Sequence, residues 1–127
     1  MDEKALMQAA MDAREHAHCK YSGFAVGAAL LTADGQIYTG CNVENGSYSL
    51  GCCAERTAIF KAVSDGKREF SAIAICGAPK GEPAEKPCIP CGACLQVIAE
   101  FCGNEFQILL TDGMHTLKEF LPVRFEL

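Results

Sequence analysis

The chain has 127 residues, half of them hydrophobic and 21% charged, which suits one folded domain and excludes both a disordered chain and two ordinary domains. Eleven Lys and Arg against sixteen Asp and Glu give a net charge of −5, so broad counterion release is not on offer and a nucleic acid polymer is not an expected partner. No apolar run approaches the roughly 20 residues of a membrane span, so no membrane partner is expected, and the start Met1-Asp2-Glu3-Lys4 lacks the basic and apolar stretches of a signal peptide.

In residues 3–18, Leu6, Met7, Ala10 and Met11 recur at helical spacing, which predicts a first helix. Tyr21-Ser22-Gly23 breaks the pattern, and 24–31 is a short apolar run of the kind that forms a buried strand. Asp34-Gly35 signals a hairpin turn, with 36–42 as the returning strand. An irregular stretch through Asn45-Gly46-Ser47 precedes a helix over 53–64, stopped by Asp65-Gly66. Residues 72–76 form an apolar strand, and 77–90 read as loop because they hold four of the five prolines. A helix follows Pro90 and runs to about 101, and 107–111 is a further strand closed by Asp112-Gly113. The tail holds a short apolar piece ending in Phe125. The order α-β-β-α-β-α-β mixes a hairpin with helix-linked strands, which implies an α/β domain of three layers, α/β/α, with a mixed sheet. It leaves the strand order open.

Nine cysteines are the dominant compositional signal. The odd count and the missing leader argue against a disulfide scaffold and for reduced, cytoplasmic cysteines, some of them metal ligands. A domain this small leaves much apolar surface uncovered, which predicts a homo-oligomer.

Two segments carry the chemistry, Cys53-Ala54-Glu55-Arg56 and Pro90-Cys91-Gly92-Ala93-Cys94. A proline at a helix start places Cys91 and Cys94, three residues apart, on one face, and a helix N-terminus favours the thiolates that bind metal. Two sulfurs do not complete a zinc site, so a third must come from elsewhere, and Cys52 and Cys53 are the candidates. Glu55 separates structural from hydrolytic zinc. A structural site needs four ligands and no acid; a hydrolytic one needs three ligands, an open position and a base. Cys53 and Glu55 together offer a ligand and a base within one turn. A four-thiolate site using Cys88 or Cys52 would need a strained Cys88–Cys91 chelate and leave Glu55 idle. Cys19, Cys41, Cys52, Cys76, Cys88 and Cys102 are therefore expected as buried or incidental thiols. His16 and His18 are expected on the outer face of the first helix, with His115 exposed near a turn.

Cys53-Ala54-Glu55 and Pro90-Cys91-Gly92-Ala93-Cys94 fit the three-cysteine version of the zinc-deaminase signature. Tyr21-Ser22-x-Phe24-x-Val26-Gly27-Ala28-Ala29-Leu30, Gly40-Cys41-Asn42-Val43-Glu44-Asn45 and Cys53-Ala54-Glu55-Arg56-Thr57-Ala58 extend the likeness, and the chain resembles the short, homotetrameric cytidine deaminases from about residue 7 to 125. The resemblance implies a single deaminase domain over 1–127 that converts cytidine and 2′-deoxycytidine to uridine and 2′-deoxyuridine in pyrimidine salvage. It implies one zinc per subunit, held by Cys53, Cys91 and Cys94, with Glu55 shuttling protons. It further implies that Asn42 and Glu44 hold the ribose and that Phe24 packs on the pyrimidine. The peptide groups of Ala54 and Cys91 would contact the base, and Phe125 would enter the site of a neighbouring subunit in a homotetramer.

Three thiolates with one Zn²⁺ leave a formal charge of −1, and Arg56 is placed to donate to the sulfurs and offset it. The sequence departs from the family pattern at Lys20, where a proline is frequent, and at Leu95, where many relatives carry an arginine. The loss at 95 leaves Arg56 as the one cation close in sequence to a ligand. Only two residues follow Phe125, so a less firmly held inter-subunit lid is expected. A related deaminase of another aminopyrimidine, such as blasticidin S, and a non-catalytic zinc module are the competing functions.

Overall fold

The computed structural model describes residues 1–127. Helix α1 spans Glu3–Arg14, and the Asp2 side chain caps it by accepting the Ala5 N–H at 3.0 Å. Leu6 and Ala10 are buried as the periodicity requires, whereas Met11 is exposed. The helix ends four residues before the predicted 18. Arg14 is buried and donates to the carbonyls of Ala25, Ala78 and Pro79 at 2.9, 3.0 and 2.9 Å, tying the helix end to the sheet. His16 and His18 are thus exposed but lie beyond the helix, and the His18 backbone bridges to Val43.

Strands β1 (Phe24–Thr32) and β2 (Ile37–Cys41) form the expected antiparallel hairpin. A short 3-10 turn at Tyr48–Leu50 leads to α2 (Ala54–Ser64). Strand β3 spans Phe70–Pro79, longer at both ends than 72–76 and into the segment expected as loop. Its register against β1 explains this, since Phe24 faces Pro79 at one end and Thr32 faces Phe70 at the other. Non-local pairing outweighs the turn signals of Gly77 and Pro79. Helix α3 is Gly92–Phe101 and β4 is Gln107–Leu110. The tail adds two elements absent from the sequence reading, β5 (Gly113–Thr116) and the single turn α4 (Leu117–Phe120).

The sheet order is β2-β1-β3-β4-β5, with only the β3–β4 pair parallel. Strand alternation sorts side chains by size. Ala28, Leu30, Ile73, Ile75, Ile108 and Leu110 face α2 and α3, packing with Ile59, Leu95 and Ile98. Ala29, Ala72, Ala74 and Cys76 face α1, whose Leu6 and Ala10 settle closely on this small-residue surface. The result is the three-layer α/β/α arrangement. Complete burial of each large aliphatic side chain contributes about 1.5–3 kcal/mol. Gly40 brings α2 down onto β2, because a Cβ there would sit 2.5 Å from both Ala54 O and Ala58 N.

Candidate active site

The sulfur cluster is built at the N-termini of two helices. Cys53 is the N-cap of α2 and Cys91 that of α3; both have extended backbone, and neither side chain makes a capping hydrogen bond. Their sulfurs are therefore free to point outward. Cys94, in the first turn of α3, is fully buried. Pro90 precedes the N-cap rather than starting the helix, so Cys91 is a capping residue rather than a helical one. The Sγ atoms of Cys53, Cys91 and Cys94 lie within 4.8 Å of one another, with Cys53 to Cys91 at 3.8 Å. A tetrahedron with metal–sulfur bonds of about 2.3 Å has edges of about 3.8 Å, so this donor set fits zinc.

The choice between Cys52 and Cys53 has a backbone reason. Cys52 pairs with Val43 in a bridge, with N···O distances of 2.9 Å both ways, and its side chain stays outside the cluster. All nine cysteines are unpaired; Cys19 and Cys76 are buried, and Cys41, Cys52, Cys88 and Cys102 are half-buried.

Arg56 donates from Nη2 to the Cys53 Sγ at 3.3 Å. Hydrogen bonds from the Cys94 thiol and from Arg56 hold Cys53 below the ordinary thiol range, despite the opposing effect of burial. Cys94 is pushed up by its hydrogen bond to Cys53 and by burial. The same sulfurs, Cys53 first and Cys94 second, raise the Arg56 guanidinium. Glu55 follows in the first turn of α2 and is only 4% exposed. Burial pushes its carboxyl up to about 7, the range suited to passing protons at neutral pH.

Beside Cys53 and Arg56 lies a cleft of about 450 Å³ whose wall includes Asn42, Glu44 and Tyr48. Asn42 comes directly after β2 and takes over its pairing: Oδ1 accepts the Val26 N–H and Nδ2 donates to Phe24 O, each at 2.8 Å. Glu44 Oε1 accepts the N–H groups of Tyr21 and Ser22 at 3.1 Å, and Oε2 accepts the Ser22 hydroxyl. These bonds, the Ser22 hydroxyl foremost, keep the Glu44 carboxyl below its usual range. Both side chains stabilise the fold and still have acceptor sites to spare.

Phe24, Ala54, Cys91 and Phe125 do not line this cleft. Phe24 is 39% exposed, on the sheet face shared with Val26 and Ala28, and its ring lies over Gly77. A Cβ on Gly77 would meet Phe24 Cε2 at 3.0 Å and the Cys88 Sγ at 2.8 Å. The N–H groups of Ala54 and Cys91 belong to helix starts, where no intrahelical acceptor exists. Phe125 is 67% exposed in the tail. Leu95 is buried in the core, and Lys20 lies 5.4 Å above the Tyr21 ring. The sequence reading missed Ser22, whose partner stands 22 residues away, and Tyr48, which packs edge-on to Tyr21. His115 lies near a turn, as expected, on the edge strand of the sheet. It is half-buried on β5, between Asp112 at 2.8 Å and Glu119 at 2.6 Å.

A mixed sheet that brings three cysteine sulfurs, an arginine and a buried glutamate to two helix N-termini defines a zinc-dependent hydrolytic centre. The chain belongs to the cytidine and deoxycytidylate deaminase family: the description "Cytidine and deoxycytidylate deaminase zinc-binding region" matches residues 1–110. A cytidine deaminase of Sporosarcina psychrophila is 54% identical over 119 residues, 94% of this chain and 84% of the relative. The crystal structure of a cytidine deaminase from Burkholderia pseudomallei superposes with a TM-score of 0.87 at 45% identity, over 98% of this chain and 100% of that one. A blasticidin-S deaminase of Bacillus cereus is a more distant relative, 28% identical over 79% of this chain. No helix is long and apolar enough to cross a membrane.

Proposed function

We propose that residues 1–127 form one deaminase domain that hydrolyses cytidine and 2′-deoxycytidine to uridine and 2′-deoxyuridine with release of ammonia. The observation that carries this reading is the convergence of the Cys53, Cys91 and Cys94 sulfurs within 4.8 Å, with Glu55 on the same helical turn as Cys53. Those three cysteines would hold one zinc ion per subunit. When bound, zinc supplies a Lewis acid that makes water a nucleophile near neutral pH.

Glu55 accepts a proton from the attacking water and delivers it to ring N3, which makes C4 electrophilic. Oxygen then bonds to C4 as a hydroxyl; Glu55 takes the remaining proton from that hydroxyl and hands it to the amine, and the C4–N bond breaks to release ammonia and leave the C4 carbonyl. Burial suits the carboxyl to this work, because neither of its protonation states is strongly favoured near pH 7. Arg56 offsets part of the thiolate charge through its 3.3 Å contact with Cys53. Asn42 and Glu44 bind the ribose hydroxyls, Phe24 packs on the pyrimidine, and the peptide groups of Ala54 and Cys91 contact the base. The pairing of an amide with a carboxylate at the cleft wall favours a nucleoside over a free base, which has no hydroxyls to satisfy them.

The working form is a homotetramer in which Phe125 enters a neighbour's site. Support comes from large apolar side chains left in solvent, Tyr48 at 80%, Leu50 at 71% and Phe125 at 67% exposure. The role is pyrimidine salvage in the cytoplasm, consistent with nine unpaired cysteines.

The test is turnover of cytidine by zinc-replete protein, followed by ultraviolet absorbance and ammonia release. Zinc-dependent formation of uridine is expected. Turnover of another aminopyrimidine with cytidine left untouched would overturn the substrate assignment.

A further inference from the structure

We propose that Arg124 is a positioning residue for this reaction, anchoring the C-terminal tail to the end of α3 so that Phe125 is presented in one fixed direction. The inference rests on the role in a neighbouring site proposed above for Phe125. The last carbonyls of any helix lack intrahelical donors, and a cation is favoured there. Helix α3 has no basic residue in its last turn and carries Glu100 instead, so its C-terminal end is left without a local cation. Arg124 supplies one from the tail. Its Nη2 donates to Ala99 O at 2.6 Å and its Nη1 to Cys102 O at 3.0 Å. A planar guanidinium held at two points fixes direction as well as position, which an ammonium cannot do.

Burial along the tail supports the same reading. The Arg124 side chain is 19% exposed, whereas its neighbours Val123 and Phe125 are 85% and 67% exposed. The arginine therefore turns inward and the two apolar side chains turn out. Upstream, the Leu121 N–H bonds to Leu117 O at 2.8 Å, so the tail is held on both sides of Pro122. The opposite end of α3 carries Cys91 and Cys94, and ten helical residues span about 15 Å. One rigid element thus references both the tail and two of the three clustered thiols.

Steady-state kinetics with cytidine and thermal melts of Arg124→Ala, Arg124→Lys, Phe125→Ala and the Arg124→Ala/Phe125→Ala double variant test the proposal. Arg124→Ala should raise KM on the order of tenfold with a much smaller change in kcat, and Arg124→Lys should recover part of the loss. In the Phe125→Ala background, Arg124→Ala should add nothing to KM, because the positioned group is already gone. A raised KM in Phe125→Ala beside a normal one in Arg124→Ala would overturn the positioning role alone. So would losses that multiply in the double variant, since a general loosening of the fold acts independently of Phe125. Unchanged kinetics in Phe125→Ala would overturn the underlying role of Phe125 itself, and the positioning role with it.

Discussion

Arg56 reaches from the fourth position of the Cys53 helical cap to donate to that cysteine's sulfur across 3.3 Å. Its Nε is buried and makes no hydrogen bond, so the guanidinium is held chiefly by its approach to the sulfurs. With Leu95 turned into the core, no cation comes from α3 to share this work. Arg56→Gln should retain most of its zinc but lose about 10–100-fold in kcat. Metal content per chain measured beside turnover checks this, and unchanged turnover would remove the role.

Glu55 is the only carboxylate among the buried residues. Glu55→Ala should keep its fold and zinc yet lose about 10²–10⁴-fold in turnover, the usual scale for a positioned general acid–base group. Circular dichroism, metal analysis and cytidine turnover on one preparation make the comparison. Activity within a few-fold of wild type would dismiss Glu55 as the proton carrier.

If Phe125 acts in a neighbouring subunit, two variants impaired in different ways should complement each other at low cytidine concentration. Glu55→Ala chains lack the proton carrier but still offer Phe125; Phe125→Ala chains have the reverse defect. Co-refolding the two should give mixed assemblies with more activity than either variant alone. No gain over the separate proteins, with mixing verified by native mass spectrometry, would place Phe125 in its own subunit's site or in none.

Gly40 faces the backbone of α2, with Ala54 O and Ala58 N each 2.5 Å from where a Cβ would stand. Backbone atoms cannot rotate away, so Gly40→Ala must lift the helix that carries Cys53, Glu55 and Arg56. The expected cost is about 1–3 kcal/mol of stability with a loss of activity below Tm. Gly103→Ala is the control, since a Cβ at 103 meets nothing within 4 Å. Equal melting temperatures for the two variants would contradict the packing argument.

His115 lies between Asp112 and Glu119, and the two hydrogen bonds, Asp112 first, raise its pKa above the usual 6.5. The folded state therefore binds the proton more tightly than the unfolded chain. The resulting stability is complete below the unfolded pKa and is lost as pH rises through the folded one. The wild type should melt above His115→Gln at pH 5.5, with the gap closing as pH rises beyond the folded pKa. A gap that widens with rising pH would reverse the assignment.

The candidate ligands and the proton carrier were legible in the linear chain because their arrangement is local. Pro90-Cys91-x-x-Cys94 and Cys53-x-Glu55 each lie within one helical turn, so spacing alone puts the members of each set near one another. The buried strands were legible for a similar reason, since short apolar runs such as 24–31 and 72–76 have few alternatives to a covered sheet.

Features that depend on distant partners were not legible. The 3.8 Å between Cys53 and Cys91 joins residues 38 apart, and it follows from two helices starting at the same side of one sheet. The length of β3 came from its pairing with β1, against its own glycine and proline. Strand β5 and α4 lack any strong periodicity and form only because β4 offers an edge and the core accepts Leu117. Likewise Arg124 reads as an ordinary tail cation until α3 presents its unpaired carbonyls beside it. Sequence alone determined which groups the proposed chemistry would use, because residue type and short spacing fix donor atoms and local reach. Their distances, their charges and the anchoring of the tail came from tertiary packing, which alone brings distant backbone and side-chain partners within a few ångströms.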